Sequence, residues 1–257
     1  MTNAPTGLPQ RARLALALQR AVGFALSPFT TLAAALLLRV WLRLRFEETG
    51  ELRRAFRRFR RSSGAPLLVC GNHLTMIDSA LIAYALGSPA WYVLHFASLP
   101  WNVPDRNNFA AKPWQRALAY IYKCLPIERG GSREQVAGAL ARFTHLLRHG
   151  EVGLIFPEGR RSRSGRVEQE NAAYGVGRIV KSVPGCRVLC VYLRGDAQHQ
   201  YSNVPARGDT LRARIAWLEP KSDQSGVRGS LDIARQIVLR LAELERDHFD
   251  AVAGASA

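Results

Sequence analysis

The chain has 257 residues, 47% of them hydrophobic, which is enough for an α/β core and excludes wholesale disorder. Its 36 Lys+Arg against 20 Asp+Glu leave a formal net charge of +16, nearly all arginine, which points to nucleic acid, an acidic membrane surface or phosphorylated ligands. Cys70, Cys124, Cys186 and Cys190 form no CxxC pair and no Cys/His metal pattern, so free thiols are expected and a metal site is not.

Residues 1–10 are polar and contain proline, and they read as a disordered N-terminus. Residues 11–62 read as apolar and Arg-rich membrane-associating helices. No residue from Ala21 to Leu38 is charged, a length at the threshold for a membrane span. Pro28, after Ser27, is expected to break or kink a helix, so two short apolar helices are as natural a reading as one spanning helix. A signal peptide is a third reading, disfavoured because the apolar run starts late and arginines follow it. Arg39, Arg43, Arg45, Arg53, Arg54, Arg57, Arg58, Arg60 and Arg61 crowd the end of the run, with Trp and Phe among them. An apolar anchor beside arginines suits a segment docked on an anionic bilayer with the rest of the chain on the cytoplasmic side. A basic RNA-binding helix is the alternative, and the adjacent uncharged run argues against it.

Residues 63–250 alternate between strand-like and helix-like patterns. "PLLVCGN" predicts a buried strand, "MIDSALIAYAL" an apolar helix and "AWYVLHF" a strand carrying a core His95. "KPWQRALAYIYKC" predicts a helix, as does "SREQVAGALARFTHLLRHG", where Ser132 and Gln135 match a capping box. His145 and His149 fall on that helix and read as a solvated end. "VGLIFPEG", "CRVLCVYLRG" and "LRARIAWLEP" predict strands, and "SLDIARQIVLRLAELERDHF" a closing helix. Interleaved strands and helices imply an α/β fold with a mostly parallel or mixed sheet flanked by helices, with ligands in the loops beyond strand ends. Residues 251–257 read as a flexible tail.

Three loops could carry chemistry. In "GNHLTMID", His73 and Asp78 can meet only if the histidine sits in the turn before a helix and the aspartate on its first turn. A carboxylate on one ring nitrogen fixes the tautomer and leaves the other nitrogen free to take a proton. A capped turn with a structural histidine is the alternative for this pair taken alone. "LIFPEGRRSRSG" places Glu158, Gly159, Arg160, Arg161 and Ser162 after a strand, where guanidinium forks and exposed amides can bind phosphate. "LPIERGGSRE" places Arg129 near a helix N-terminus, a second anion site.

The three together, in this order, resemble the glycerolipid acyltransferase family. Its pattern is Asn-His-x4-Asp, then an apolar stretch ending in Asp/Glu-Arg, then Phe-Pro-Glu-Gly-Thr-Arg-Ser, then a Pro-containing apolar strand. The chain has Asn72, His73 and Asp78, then Ile127, Glu128 and Arg129, then Phe156, Pro157, Glu158, Gly159, Arg161 and Ser162. Arg160 stands where the family usually has threonine, and Cys190 where the fourth block usually has proline. The resemblance implies acyl transfer from acyl-CoA or acyl carrier protein to a hydroxyl of a lysophospholipid, first of all 1-acylglycerol-3-phosphate. It makes His73 the general base and Asp78 its partner. It gives the acceptor head group to Asn72, Arg129, Phe156, Pro157, Glu158, Gly159, Arg161 and Ser162, with Arg160 joining them. It calls for no metal or resident cofactor, and it places the protein at the inner, cytoplasmic membrane. The basic charge would also attract acyl carrier protein, which is acidic. Open alternatives are another lipid or specialised-metabolite hydroxyl, a thioesterase using water, a covalent route through Cys70, and a non-enzymatic binding module. No GxSxG elbow, P-loop or RNA-binding motif is present.

Overall fold

The computed structural model describes residues 7–128 and 130–255. Six strands form one mixed sheet: β1 (Arg45–Phe46), β2 (Leu67–Gly71), β3 (Trp101–Asn102), β4 (Val152–Ile155), β5 (Arg187–Gly195) and β6 (Thr210–Leu218). Their order is β1-β6-β5-β2-β4-β3; the β5–β6 pair is antiparallel and the others are parallel. β2 lies between β4 and β5 and is buried along its whole length, which is why its sequence is a continuous apolar run.

Alternation along β2 divides the core. Leu68 and Cys70 pack on one face with Phe143, Val176, Ile179 and Ile237. These come from α7 (Arg133–Arg148), α8 (Tyr174–Ser182) and α9 (Gly226–Ala255). Leu67 and Val69 pack on the other face with Leu52, Phe56, Leu81 and Ile82, from α2 (Thr49–Ser62) and α3 (Asp78–Leu86). The side-chain period of two makes each face a separate packing problem, and the helices cover both. The Ser132 capping box of α7 is formed in both directions with Gln135.

The N-terminal helix α1 (Gln10–Leu36) runs through Pro28 and continues in a π-helical turn, Leu37–Trp41, so of the two readings of this segment the single helix is the one formed. The ring removes the donor that would serve the Phe24 carbonyl. The Thr31 hydroxyl turns back to the Ser27 carbonyl at 2.6 Å, and Tyr122 donates to the Thr30 carbonyl at 3.1 Å, so polar contacts hold the helix across this stretch. Gln10–Trp41 is long and apolar enough to cross a membrane by length and composition, yet only 28% of its most apolar window is buried. Its inner face, Leu16, Gln19, Gly23 and Ser27, is buried. Gln19 donates to the carbonyls of Tyr120 and Cys124, and Arg20 pairs with Glu151. Leu14, Leu18, Phe29, Leu36 and Val40 are exposed. The helix is therefore a membrane-docking candidate fixed to the domain on one side.

Three other expectations change. "AWYVLHF" is not a strand but α4 (Pro89–Leu94), because Ser88 caps it by accepting from the Trp91 amide and Pro89 occupies its first turn. His95 ends that helix and is exposed, not in the core. The short α5 (Arg106–Phe109) and α6 (Pro113–Ile121) follow β3. The closing helix continues to Ala255, through residues read as tail, because no glycine or proline interrupts "HFDAVA" before Gly254.

α8 and α9 approach closely at Gly177, where a Cβ would sit 1.8 Å from the Ser230 carbonyl oxygen. Gly177→Ala should destabilise the protein by about 1–3 kcal/mol, read as a lower Tm. Gly175→Ala in the same helix, where a Cβ meets nothing within 4 Å, should leave Tm unchanged or raise it. Equal Tm values for the two variants would contradict this packing.

Candidate active site

The site forms where β2 ends. Gly71 closes the strand, and a Cβ there would lie 2.4 Å from Ile82 Cδ1, so any side chain would require that buried residue to shift. Asn72 follows. Its carboxamide donates to the Leu193 carbonyl at 3.0 Å and accepts from the Leu193 amide at 2.8 Å. Asn72 is 3% exposed, so it fastens the turn to β5, and the structure gives it no face toward a ligand.

His73 then turns back toward α3. Its Nδ1 lies 2.9 Å from Asp78 Oδ2. The same oxygen accepts from the amides of Leu74 at 2.6 Å and Thr75 at 2.8 Å, while the Thr75 hydroxyl donates to Oδ1 at 2.5 Å. Asp78 is the first residue of α3, so its carboxylate also lies at a helix N-terminus. A carboxylate only accepts, so Nδ1 carries the ring proton and Nε2 is left as the basic atom. Phe156 stacks on the imidazole, with centroids 4.0 Å apart and planes 11° from parallel. The ring is thus held by its partner at one edge and by an aromatic face.

The Phe156–Ser162 segment follows β4, next to β2 on the same edge of the sheet. Gly159 takes φ +71 and its amide donates to the Phe156 carbonyl at 3.0 Å, a tight turn that a side chain would strain. The Pro157 carbonyl accepts from the Ala173 amide at 2.7 Å. Glu158 is buried; its carboxylate accepts from the amides of His73 at 3.4 Å and Glu168 at 3.1 Å. Burial pushes its pKa up to about 7; Glu168 and Glu245 push the same way, and the two amide bonds oppose them. Ser162, 1% exposed, donates its amide to the His73 carbonyl at 2.9 Å, and its hydroxyl bonds to the Arg166 carbonyl. Glu158 and Ser162 therefore tie this loop to the histidine turn.

Arg160 and Arg161 are the side chains of this loop's expected site that are not buried, apart from Phe156. Arg160 is largely exposed and pairs with Glu168 at 3.0 Å. Arg161 donates to the Ser202 carbonyl at 3.2 Å and lies over the Tyr201 ring. A cavity of about 280 Å³ opens beside Glu158, Gly159 and Arg160, with Glu170 and Asn171 at its rim. Arg129 lies outside the described residues. Its neighbour Ile127 forms a bridge with Asp105, beyond the C-terminal end of β3 and so on the edge that carries His73.

Several supports carry no signal in the sequence pattern. The Ser202 amide donates to the Leu74 carbonyl and the Met76 amide to the Asn203 carbonyl, both at 3.0 Å, so a segment about 125 residues downstream braces the dyad turn. Glu245 of α9 accepts from Tyr192 and from the Val167 amide, both at 3.1 Å, and pairs with Arg166. Thr75 does carry a local signal: a hydroxyl three residues before a helical aspartate is a local hydrogen-bonding pattern. Cys70 is wholly buried in the core beneath the site, and burial raises its thiol pKa well above the ordinary value. That environment keeps it an inert thiol.

Comparison with known proteins agrees with the geometry. The chain matches the family model described as Acyltransferase over residues 45–194. That span is more than half the chain and runs from β1 to the end of β5, so the chain belongs to the acyltransferase family. No curated protein matches it.

Because the fold raises the Glu158 pKa from 4.5 to about 7, it favours the neutral acid. The stabilising contribution is present at low pH and is lost as the pH rises through that interval. Glu158→Gln should abolish this slope. Between about pH 5 and about pH 8, the wild type should lose stability relative to the variant in denaturant titrations. Parallel pH profiles would contradict the assigned environment.

Proposed function

From its place in the acyltransferase family, we propose that this protein moves a fatty acyl group from a thioester, acyl-CoA or acyl carrier protein, to a hydroxyl of a lysophospholipid, with 1-acylglycerol-3-phosphate as the first acceptor to test. The observation that carries the proposal is the His73–Asp78 contact of 2.9 Å, in which both oxygens of the carboxylate are occupied and Nε2 has no hydrogen-bond partner among the described residues.

The chemistry follows from that arrangement. His73 Nε2 takes the proton of the acceptor hydroxyl as its oxygen attacks the thioester carbonyl. A tetrahedral intermediate forms, and Asp78 stabilises the imidazolium beside it. Collapse breaks the carbon–sulfur bond, and the departing thiolate takes the proton back from His73. The products are an ester and a thiol, and the base is regenerated. Thiolate is a good leaving group, so little further assistance is required.

Arg161 and Arg160 would receive the acceptor phosphate, because the guanidinium fork matches its oxygens. Arg129 is assigned here by family resemblance. Asn72, Pro157, Glu158 and Ser162 enter this proposal as the scaffold of the site, while Phe156 backs the imidazole. The exposed apolar side of α1 would bury itself in the bilayer interface, with the arginines of α2 at the head-group level, on the cytoplasmic face.

Incubation of purified protein with each thioester donor and a panel of lyso-lipids, with products read by mass spectrometry, tests the reading. Diacylated product should form and depend on both substrates. Arg161→Gln should raise KM for a phosphate-bearing acceptor about tenfold or more and change kcat less. Free fatty acid as the main product, with or without acceptor, would overturn acyl transfer to a hydroxyl in favour of hydrolysis.

A further inference from the structure

The end of α2 carries two arginines with no carboxylate in ion-pair contact among the described residues. Arg60 donates to the Ser98 hydroxyl at 3.1 Å and to the Gly150 carbonyl at 2.8 Å, both neutral acceptors. Arg61 is exposed and has no hydrogen-bond partner among the described residues. Both border a cavity of about 420 Å³, together with Arg20 and Phe24 of α1 and Trp91 and Leu94 of α4. The nearby carboxylate, Glu151, is already shared by Arg20 and by buried Lys123, each at 2.6 Å. The surplus around the cavity is positive.

This cavity is not the catalytic site. Gly150 and Glu151 immediately precede β4, whereas His73 follows β2, and the two strands are parallel. The dyad therefore sits at the C-terminal ends of the strands and the cavity at their N-terminal ends. The five-residue β2 alone separates those edges by about 16 Å.

We propose that the cavity is a second lipid site, in which Arg60 and Arg61 hold the phosphodiester of an acidic membrane phospholipid and Phe24 and Leu94 line the path of its chains. The proposal takes its ligand class from the membrane docking of α1 set out above. Phe24 is 52% and Leu94 79% exposed at the mouth, and Phe24 belongs to the same helix as the exposed Leu14, Leu18 and Phe29. A bilayer against that face would bring head-group phosphates to the level of the arginines. Burial lowers the Arg60 pKa, with Glu151 opposing it. A partly desolvated guanidinium without a contacting carboxylate gains more from an anion than a solvated one does. Because Arg20 and Phe24 belong to α1, Arg60 and Arg61 to α2, and Leu94 to α4, a bound lipid would fasten the docking helix to the domain.

The test uses the full chain in neutral detergent, which removes the diffuse attraction of a charged bilayer. Phosphatidylglycerol, phosphatidylcholine and inorganic phosphate are titrated separately, and retained ligand is read by native mass spectrometry. One phosphatidylglycerol per chain should be retained in preference to phosphatidylcholine. The double variant R60Q/R61Q should weaken it about tenfold or more, since each arginine contributes charge-assisted hydrogen bonds. R54Q/R58Q, an equal charge loss elsewhere on α2, should stay within about twofold, and so should R161Q. If R60Q/R61Q does not fold, R61Q alone carries the comparison. Equal weakening in R54Q/R58Q, loss of the lipid in R161Q, equal retention of phosphatidylcholine, or displacement by inorganic phosphate at equal concentration would each overturn the proposal. Retention is read without turnover, so failure here is separable from failure of acyl transfer. Vesicle flotation reports the docking of α1 on its own.

Discussion

Asp78 opens α3, and its two carboxylate oxygens accept from the amides of Leu74 and Thr75, the hydroxyl of Thr75 and the ring of His73. These bonds leave the turn from 73 to 78 a single conformation. The amides need the carboxylate because they lie between a strand and a helix, with no backbone partner of their own. The same bonds aim the imidazole and set which nitrogen is basic. In the proposed mechanism, fold and chemistry thus share one group. A change at Asp78 alters the loop and the base together, so its loss alone cannot be read as a purely catalytic effect.

Around that turn the structure adds a second layer of constraint. Glu158 and Ser162 join the β4 loop to the His73 backbone, Asn72 joins it to β5, and Ser202 and Asn203 brace it from downstream. Conserving the geometry of one histidine therefore recruits residues from four separate parts of the chain. This explains why most of the polar residues of the family pattern point into the protein. Of those in the described part, Arg160 and Arg161 keep side chains that are not buried. In the proposed reaction, acceptor choice would rest on few side chains, and the geometry of the histidine turn on many.

The local part of this was legible in the sequence. The His73–Asp78 spacing implied a turn onto a helix, and the buried strand before it was a plain apolar run. The capping box of α7 and the alternation of β6 were equally readable, because both are nearest-neighbour chemistry. What escaped was long-range or ambiguous. "AWYVLHF" has the composition of a strand, and the Ser88–Pro89 start decided for a helix. Pro28 is tolerated inside α1, within a helix whose inner face packs on the domain and whose backbone is tied to Tyr122 and the Thr31 hydroxyl. The engagement of Asn72 with Leu193 spans 121 positions and leaves no pattern in a single sequence. The same holds for the cavity at Arg60 and Arg61. Their charges read as part of a basic stripe until the fold set them beside Phe24 and Leu94.

The proposed role of His73, held by Asp78, is to remove the proton from the acceptor hydroxyl. Its most direct measurement is kcat/KM of purified His73→Ala with a thioester donor and a lysophospholipid, beside the wild type, at matched Tm. The expected result is a loss of about 10²-fold to 10⁴-fold with the fold intact. Turnover equal to the wild type in a folded His73→Ala protein would contradict it.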